Sequence, residues 1–128
     1  MHDKVLVCYL FTKFDRVESI LKFKKHYKKY RSGSKHSLLI CFKLLNQKKI
    51  LLLKNKLKNL NYIEFIDPEN INDFDFGSYK RISKKYPNHS ILFLNSHSYP
   101  LNDNWLKKLL LHFKKKTIIA TFASYESF

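Results

Sequence analysis

Residues 4–10, KVLVCYL, decide how the rest of this chain is read. Six of the seven are apolar, and the run does not alternate with polar residues. A strand with one wet face alternates, whereas a strand covered on both faces reads as a continuous apolar run. Lys4 to Leu10 is therefore expected to be the inner strand of a parallel sheet with helices on both sides. Working outward, the same grammar recurs. Asp15 with Glu18 three residues later reads as an acidic helix start, and Val17, Ile20, Leu21 and Tyr27 give that helix an apolar face to about Tyr30. SLLICFK (37–43) is a second strand. Asn46 caps a lysine-rich helix that turns Ile50, Leu53, Leu57 and Leu60 inward, and YIEFI (62–66) is a third strand. Ser78 to Tyr86, stopped by Pro87, reads as a short helix and Ile91 to Leu94 as a fourth strand. Asn102 or Asp103 caps a helix with Trp105, Leu106, Leu109, Leu110 and Phe113 on its stripe, and TIIATF (117–122) is a fifth strand.

Alternation of this kind predicts right-handed βαβ units. The expected fold is α/β: a three-layer sandwich with a mainly parallel sheet of about five strands, Rossmann-like, in a single domain over residues 1–128. At 128 residues, 45% of them hydrophobic and 16% aromatic, the chain can bury a real core and is not disordered. No apolar run approaches the roughly 20 residues that span a bilayer. Met1 to Lys4 lacks the charged and cleavable pattern of a signal peptide, so the expected location is cytoplasmic. Cys8 and Cys41 lie inside apolar runs and suit buried thiols; neither belongs to a CxxC pair.

The net charge of +15 raises a nucleic-acid or polyanion reading. Against it, arginine occurs only at Arg16, Arg31 and Arg81, and bidentate phosphate and base recognition favours arginine. The lysines are spread over several expected helices, where they dress solvated faces. A lysine-rich surface also suits the anionic inner face of a membrane.

In open parallel sheets ligands bind beyond the carboxyl ends of the strands, where strand order reverses. Three polar stretches fall at such ends: 11–15, 67–77 and 95–104. Gly33 and Gly77 are the only glycines, so no glycine-rich phosphate cradle and no nucleophile elbow is present. Asp75-Phe76-Gly77 spells a kinase motif whose other parts are missing, and the match is chance. Gly77 reads either as a positive-φ turn with Ser78 capping the next helix, or as part of a site in which Asp75 bonds a ribose or base and Tyr79 follows one turn on. In NSHSYPLNDNWL (95–106), Pro100 onward is explained as a helix start, but Asn95 to Ser98 sit where a ligand would lie. His97 alone is more often an ordinary histidine than a metal ligand.

Taken together, ENINDFDFGSYKRI (69–82), ILFLNSHSYPLNDNWLKKL (91–109) and TIIATFASYES (117–127) resemble the nucleotide-binding half of GT-A glycosyltransferases. They are most similar to the family-2-like proteins related to rhamnan-synthesis protein F, which act in surface polysaccharide assembly. The likeness covers residues 70–128 by motif, ending in Ser124-Tyr125-Glu126-Ser127; residues 5–66 agree in strand–helix order alone. The resemblance implies a nucleotide-diphosphate sugar as donor and a glycan or lipid-linked acceptor. Leu10, Phe11, Thr12 and Lys43 would flank the base, Asp75 and Tyr79 would contact the nucleoside, Asn95 and His97 would face the diphosphate, and Gly77 and Ser96 belong to the same nucleotide-sugar-binding set. The family commonly places an Asp-x-Asp at this strand end to hold Mg²⁺ or Mn²⁺. This sequence has Asn95-Ser96-His97 there, so a metal would rest on His97 and Asn95, both neutral donors that hold a hard ion weakly. Asp103 substitutes only if its loop folds back. The family's domain continues further than Phe128, so the resemblance implies either a truncated or degenerate domain, incomplete or inactive alone, or one whose remainder comes from another chain. An active chain would be a hexosyltransferase-type glycosyltransferase, and no catalytic base falls within these residues. The other readings are a non-enzymatic basic module for nucleic acid or another polyanion, and a folded remnant without activity.

Overall fold

The computed structural model describes residues 4–68, 73–112 and 118–120. Nine elements follow in order: β1 (Lys4–Thr12), α1 (Val17–Lys29), β2 (Ser37–Lys43), α2 (Gln47–Lys56), β3 (Ile63–Ile66), α3 (Phe74–Lys85), β4 (His89–Leu94), α4 (Trp105–Leu111) and β5 (Ile118–Ala120). The strands form one five-stranded sheet in the order β3-β2-β1-β4-β5, and every neighbouring pair is parallel. This is the α/β layered fold that the strand–helix alternation predicts.

β1 shows why. Its residues alternate between two cores, as a period of two requires. Val7, Tyr9 and Phe11 pack with Ile20 and Phe23 of α1, Ile50 and Leu53 of α2, and Trp105 and Leu106 of α4. Leu6, Cys8 and Leu10 face the other way, onto Tyr79 and Ile82 of α3. Both faces of the strand are apolar because both are covered. Each large apolar side chain that the strand removes from water contributes about 1.5–3 kcal/mol.

Several expected boundaries move. Asp15 does not cap α1: the cap position is Arg16, which makes no side-chain cap bond, because the Asp15 carboxylate is engaged elsewhere. Asn46 does cap α2, its Oδ1 accepting from the Lys49 amide at 2.8 Å. α3 begins at Phe74, ahead of the expected Ser78, so Gly77 and Ser78 lie inside the helix. Gly77 therefore does not form a positive-φ turn, and Ser78 does not cap a helix.

Neither Asn102 nor Asp103 caps α4. Its cap is Asn104, in left-handed backbone at φ 62°, and the first helical amides are met from outside: Leu106 and Lys107 donate to the Ser32 carbonyl at 3.1 and 3.0 Å. Asp103 instead accepts from the Arg31 amide at 2.9 Å. Arg31 and Ser32 follow the end of α1, so α4 starts at the amino-terminal end of the sheet. The segment from Asn95 to Asn104 runs down beside α1, with Tyr99 against the His26 ring at 4.7 Å and Lys22 Nζ at 4.4 Å from its centroid. The loop does not fold back, and Asp103 is remote from the carboxyl ends of the strands. Phe113, Thr117 and the Ser124–Ser127 stretch lie outside the described residues.

Candidate functional site at the β1–β4 switch

After β3 the chain returns through α3 to β4, which pairs with the opposite side of β1. Strand order reverses there, and a crevice opens between the carboxyl ends of β1 and β4. A cavity of about 220 Å³ occupies it, lined by Leu10, Thr12 and Asp15 after β1, Asp75 from the first turn of α3, and Asn95, Ser96 and His97 after β4.

Two carboxylates share this small space. Asp15 is locked: Oδ2 accepts from the Thr12 amide at 2.8 Å and the Thr12 hydroxyl at 3.1 Å, and Oδ1 accepts from the Ser96 hydroxyl at 2.6 Å. The Ser96 carbonyl in turn accepts from the Tyr9 hydroxyl at 2.7 Å, which ties the strand ends to the core. Burial, helped by the Asp15 charge, pushes that phenol well above its ordinary pKa. Asp75 is half-buried. Its carboxyl titrates above the ordinary carboxylate range because burial penalises the charged form and Asp15 adds repulsion; Lys43 opposes the shift. A carboxylate at the start of a helix is ordinarily favoured in its charged form, so burial and Asp15 outweigh the helix dipole here. A desolvated acid with a second acid beside it in a crevice has the physical character of a functional group.

Asn95 and His97 form the rim. Asn95 Oδ1 accepts from the His97 amide at 2.9 Å and from the Ser98 hydroxyl at 3.0 Å, an Asx turn that fixes the loop. His97 is exposed. The Asn95 oxygen serves the turn, and no group of three or more His, Cys, Asp or Glu that could hold a metal ion occurs among the described residues.

The other expected contacts fall elsewhere. Phe11 is wholly buried in the core. Tyr79 stacks on Phe93 at 4.1 Å and also faces the core, and its hydroxyl is buried with no partner among the described residues. Lys43 stands beside Thr12 in the sheet register, yet its ammonium turns away into an ion cluster. It donates to Asp67 Oδ2 at 3.3 Å, to Ser78 Oγ at 2.9 Å and to Asp73. Arg81 grips Asp67 with a two-pronged fork at 2.7 and 2.6 Å and reaches Asp73 at 2.8 Å. Lys43 and Asp67 are buried with side-chain exposures of 1% and 0%, so their opposite charges must be matched. Gly77 does not line the cavity. A Cβ there would fall on the Asp73 carboxylate, so glycine allows Asp73 to lie over the helix and reach the cluster.

Sequence reasoning placed Leu10, Thr12, Asp75, Asn95, Ser96 and His97 near one another, and they do meet. It missed Asp15 as a wall residue and Asp67, Asp73 and Arg81 as the partners of Lys43. The signal for Asp15 was its position three residues past the end of an inner strand, where an acid can bond back to the strand's last amide.

Comparison with protein-family models finds no match, and comparisons with curated proteins and with solved structures find none either.

Proposed function

We propose that this chain is a nucleotide-sugar-binding domain of the GT-A glycosyltransferase kind, and that the cavity at the β1–β4 switch takes the ribose of the donor nucleotide. One observation carries the reading: Leu10, Thr12, Asp75, Asn95 and Ser96, five residues that the resemblance assigns to donor binding, line one cavity at the strand-order reversal. The chemistry is consistent with it. A half-buried carboxylate accepts two vicinal hydroxyls well, and the sugar's hydroxyls would replace the water that Asp75 loses to burial. Ligand pockets generally run from roughly 300 to 1,000 Å³. About 220 Å³ holds a sugar-sized group, so the base and the diphosphate would extend outward, the latter past the exposed His97 rim. No lysine or arginine is among the described lining residues, which sets this cavity apart from a polyanion groove.

Transfer in such an enzyme is attack of an acceptor hydroxyl on the anomeric carbon, with the nucleoside diphosphate leaving. The acceptor, a glycan or lipid-linked one, and a position at the anionic face of a membrane belong to the same reading. No helix among the described residues is long and apolar enough to cross a membrane.

The test is a thermal-shift screen with UDP-, GDP- and dTDP-sugars, each with and without Mn²⁺. One donor should raise Tm, and Asp75→Ala should abolish the rise while leaving the protein folded. No stabilisation by any donor, together with tight, salt-sensitive RNA binding, would overturn the reading in favour of a polyanion-binding module.

A further inference from the structure

The two ends of the sheet carry opposite chemistry. At the amino-terminal end a cavity of about 760 Å³ is lined by Lys4, Lys35, His36 and His89 together with the hydroxyls of Ser34 and Ser37. No aspartate or glutamate is among its described lining residues. A second cavity, of about 330 Å³, shares His36 and adds Lys28 and Arg31.

In a chain so rich in lysine, cations near a cavity need no ligand to explain them, so the particular contacts decide. Several lysines have structural work. Lys24 donates to the Lys56 and Lys58 carbonyls at 3.0 and 2.6 Å, and Lys28 to the Asn59 carbonyl at 3.1 Å, which satisfies the carboxyl end of α2. Lys54 pairs with Glu64 at 2.8 Å. Lys4 and Lys35 are different: the side-chain ammonium of neither makes a hydrogen bond or ion pair among the described residues. Lys4 also stands directly beside His89 across the β1–β4 pair, so two groups able to carry positive charge are neighbours, with no carboxylate among the described residues that line the cavity. Burial and the Lys4 charge hold the His89 imidazole below its ordinary pKa, and its Nδ1 is buried with no hydrogen-bond partner among the described residues. His36 is fixed in the wall: its Nδ1 must donate to the Ser34 carbonyl at 2.9 Å, so in the neutral ring Nε2 accepts from the Tyr27 hydroxyl at 2.6 Å.

We propose that the amino-terminal end of the sheet carries a second binding site, for a compact phosphate-rich anion such as a phosphomonoester or pyrophosphate group, held by Lys4 and Lys35 with His36, His89 and the serine hydroxyls. An anion there supplies the charge that Lys4 and His89 lack, and ammonium–phosphate hydrogen bonds are the strong kind. The site lies at the end of the sheet opposite the switch-point cavity and does not depend on the donor reading. The same phosphate chemistry could come from a free phosphoester or from a lipid headgroup.

The experiment follows the imidazole signals of the full chain by NMR during titration with sodium pyrophosphate at constant ionic strength. His36 and His89 should move and saturate while His26, His97 and His112 stay still. The double variant Lys4→Gln/Lys35→Gln should bind roughly tenfold more weakly, with the donor-induced Tm shift unchanged. Lys35→Gln alone, in an exposed loop, gives the same direction should the double variant fail to fold. Co-sedimentation with phosphatidylcholine vesicles, with and without phosphatidic acid, separates the sources. Phosphatidic-acid-dependent capture lost in the variant assigns a headgroup, and pyrophosphate binding without capture assigns a free phosphoester. Unsaturable movement of all histidines together, or wild-type affinity in the variants, would overturn the site.

Discussion

The Ser96 hydroxyl donates to Asp15 Oδ1 at 2.6 Å, joining residues 81 positions apart across the reversal of strand order. The same carboxylate holds the Thr12 amide, so one side chain closes the ends of both β1 and β4. Asp15→Ala leaves a part-buried amide and two hydroxyls, those of Thr12 and Ser96, without this acceptor. It should cost about 1–3 kcal/mol in urea denaturation, the usual penalty for stranding such groups. Ser96→Ala should cost less, and a double-mutant cycle should show coupling between the two. Additive effects would mean that the contact does not form.

Asp75 should show the opposite balance. Its folded-state pKa is raised, so the fold favours the protonated form. That contribution is fully present below the unfolded carboxyl's pKa of about 3.9 and is lost as pH rises through the higher folded value. At neutral pH the ionised group therefore destabilises the fold. Asp75→Asn should raise Tm at pH 7, lose that advantage below about pH 4, and weaken donor binding. A variant that lowers Tm at pH 7 would show that Asp75 is a structural group.

The ion cluster predicts a rank order. Asp67 is the buried anion that both Lys43 and Arg81 require, so Asp67→Asn should be the most damaging, at about 3–5 kcal/mol. Lys43→Met leaves Asp67 its Arg81 fork and its Ser78 bond and should cost less. The Arg81 and Lys43 hydrogen bonds hold the Asp73 carboxyl well below its usual range. Its contribution is present above the ordinary carboxylate pKa and fades as pH falls below about 4. Asp73→Asn should therefore flatten the acid limb of the stability profile, as followed by circular dichroism.

How much of this was legible in the sequence follows from which interactions are local. The continuous apolar runs of β1 and β2 announce two covered faces, and Ser37–Lys43 lies where its pattern puts it. Asn46 caps its own helix three residues on, a contact that sequence spacing contains. Asp15, Asp103 and Ser78 are cap-like residues whose side chains found distant partners instead: Ser96, Arg31 and the Lys43–Asp67 pair. A cap and a long-range bond look alike in one dimension, because both need a short polar side chain beside an apolar run. The start of α3 was missed for the same reason, since the DFG glycine resembles a turn.

Gly77 offers the sharpest test of that last point. In an ordinary helix, glycine to alanine stabilises by about 0.8–1.0 kcal/mol. Here a Cβ at Gly77 would displace the Asp73 carboxylate from Lys43 and Arg81. Gly77→Ala alone should therefore gain little or lose stability. In an Asp73→Ala background, where the obstructing carboxylate is gone, the same change should recover the helix gain of about 1 kcal/mol. The difference between the two backgrounds, read from urea midpoints, measures the contact. Equal effects would place Gly77 in a segment where helix propensity alone decides, and the Asp73 packing would be wrong.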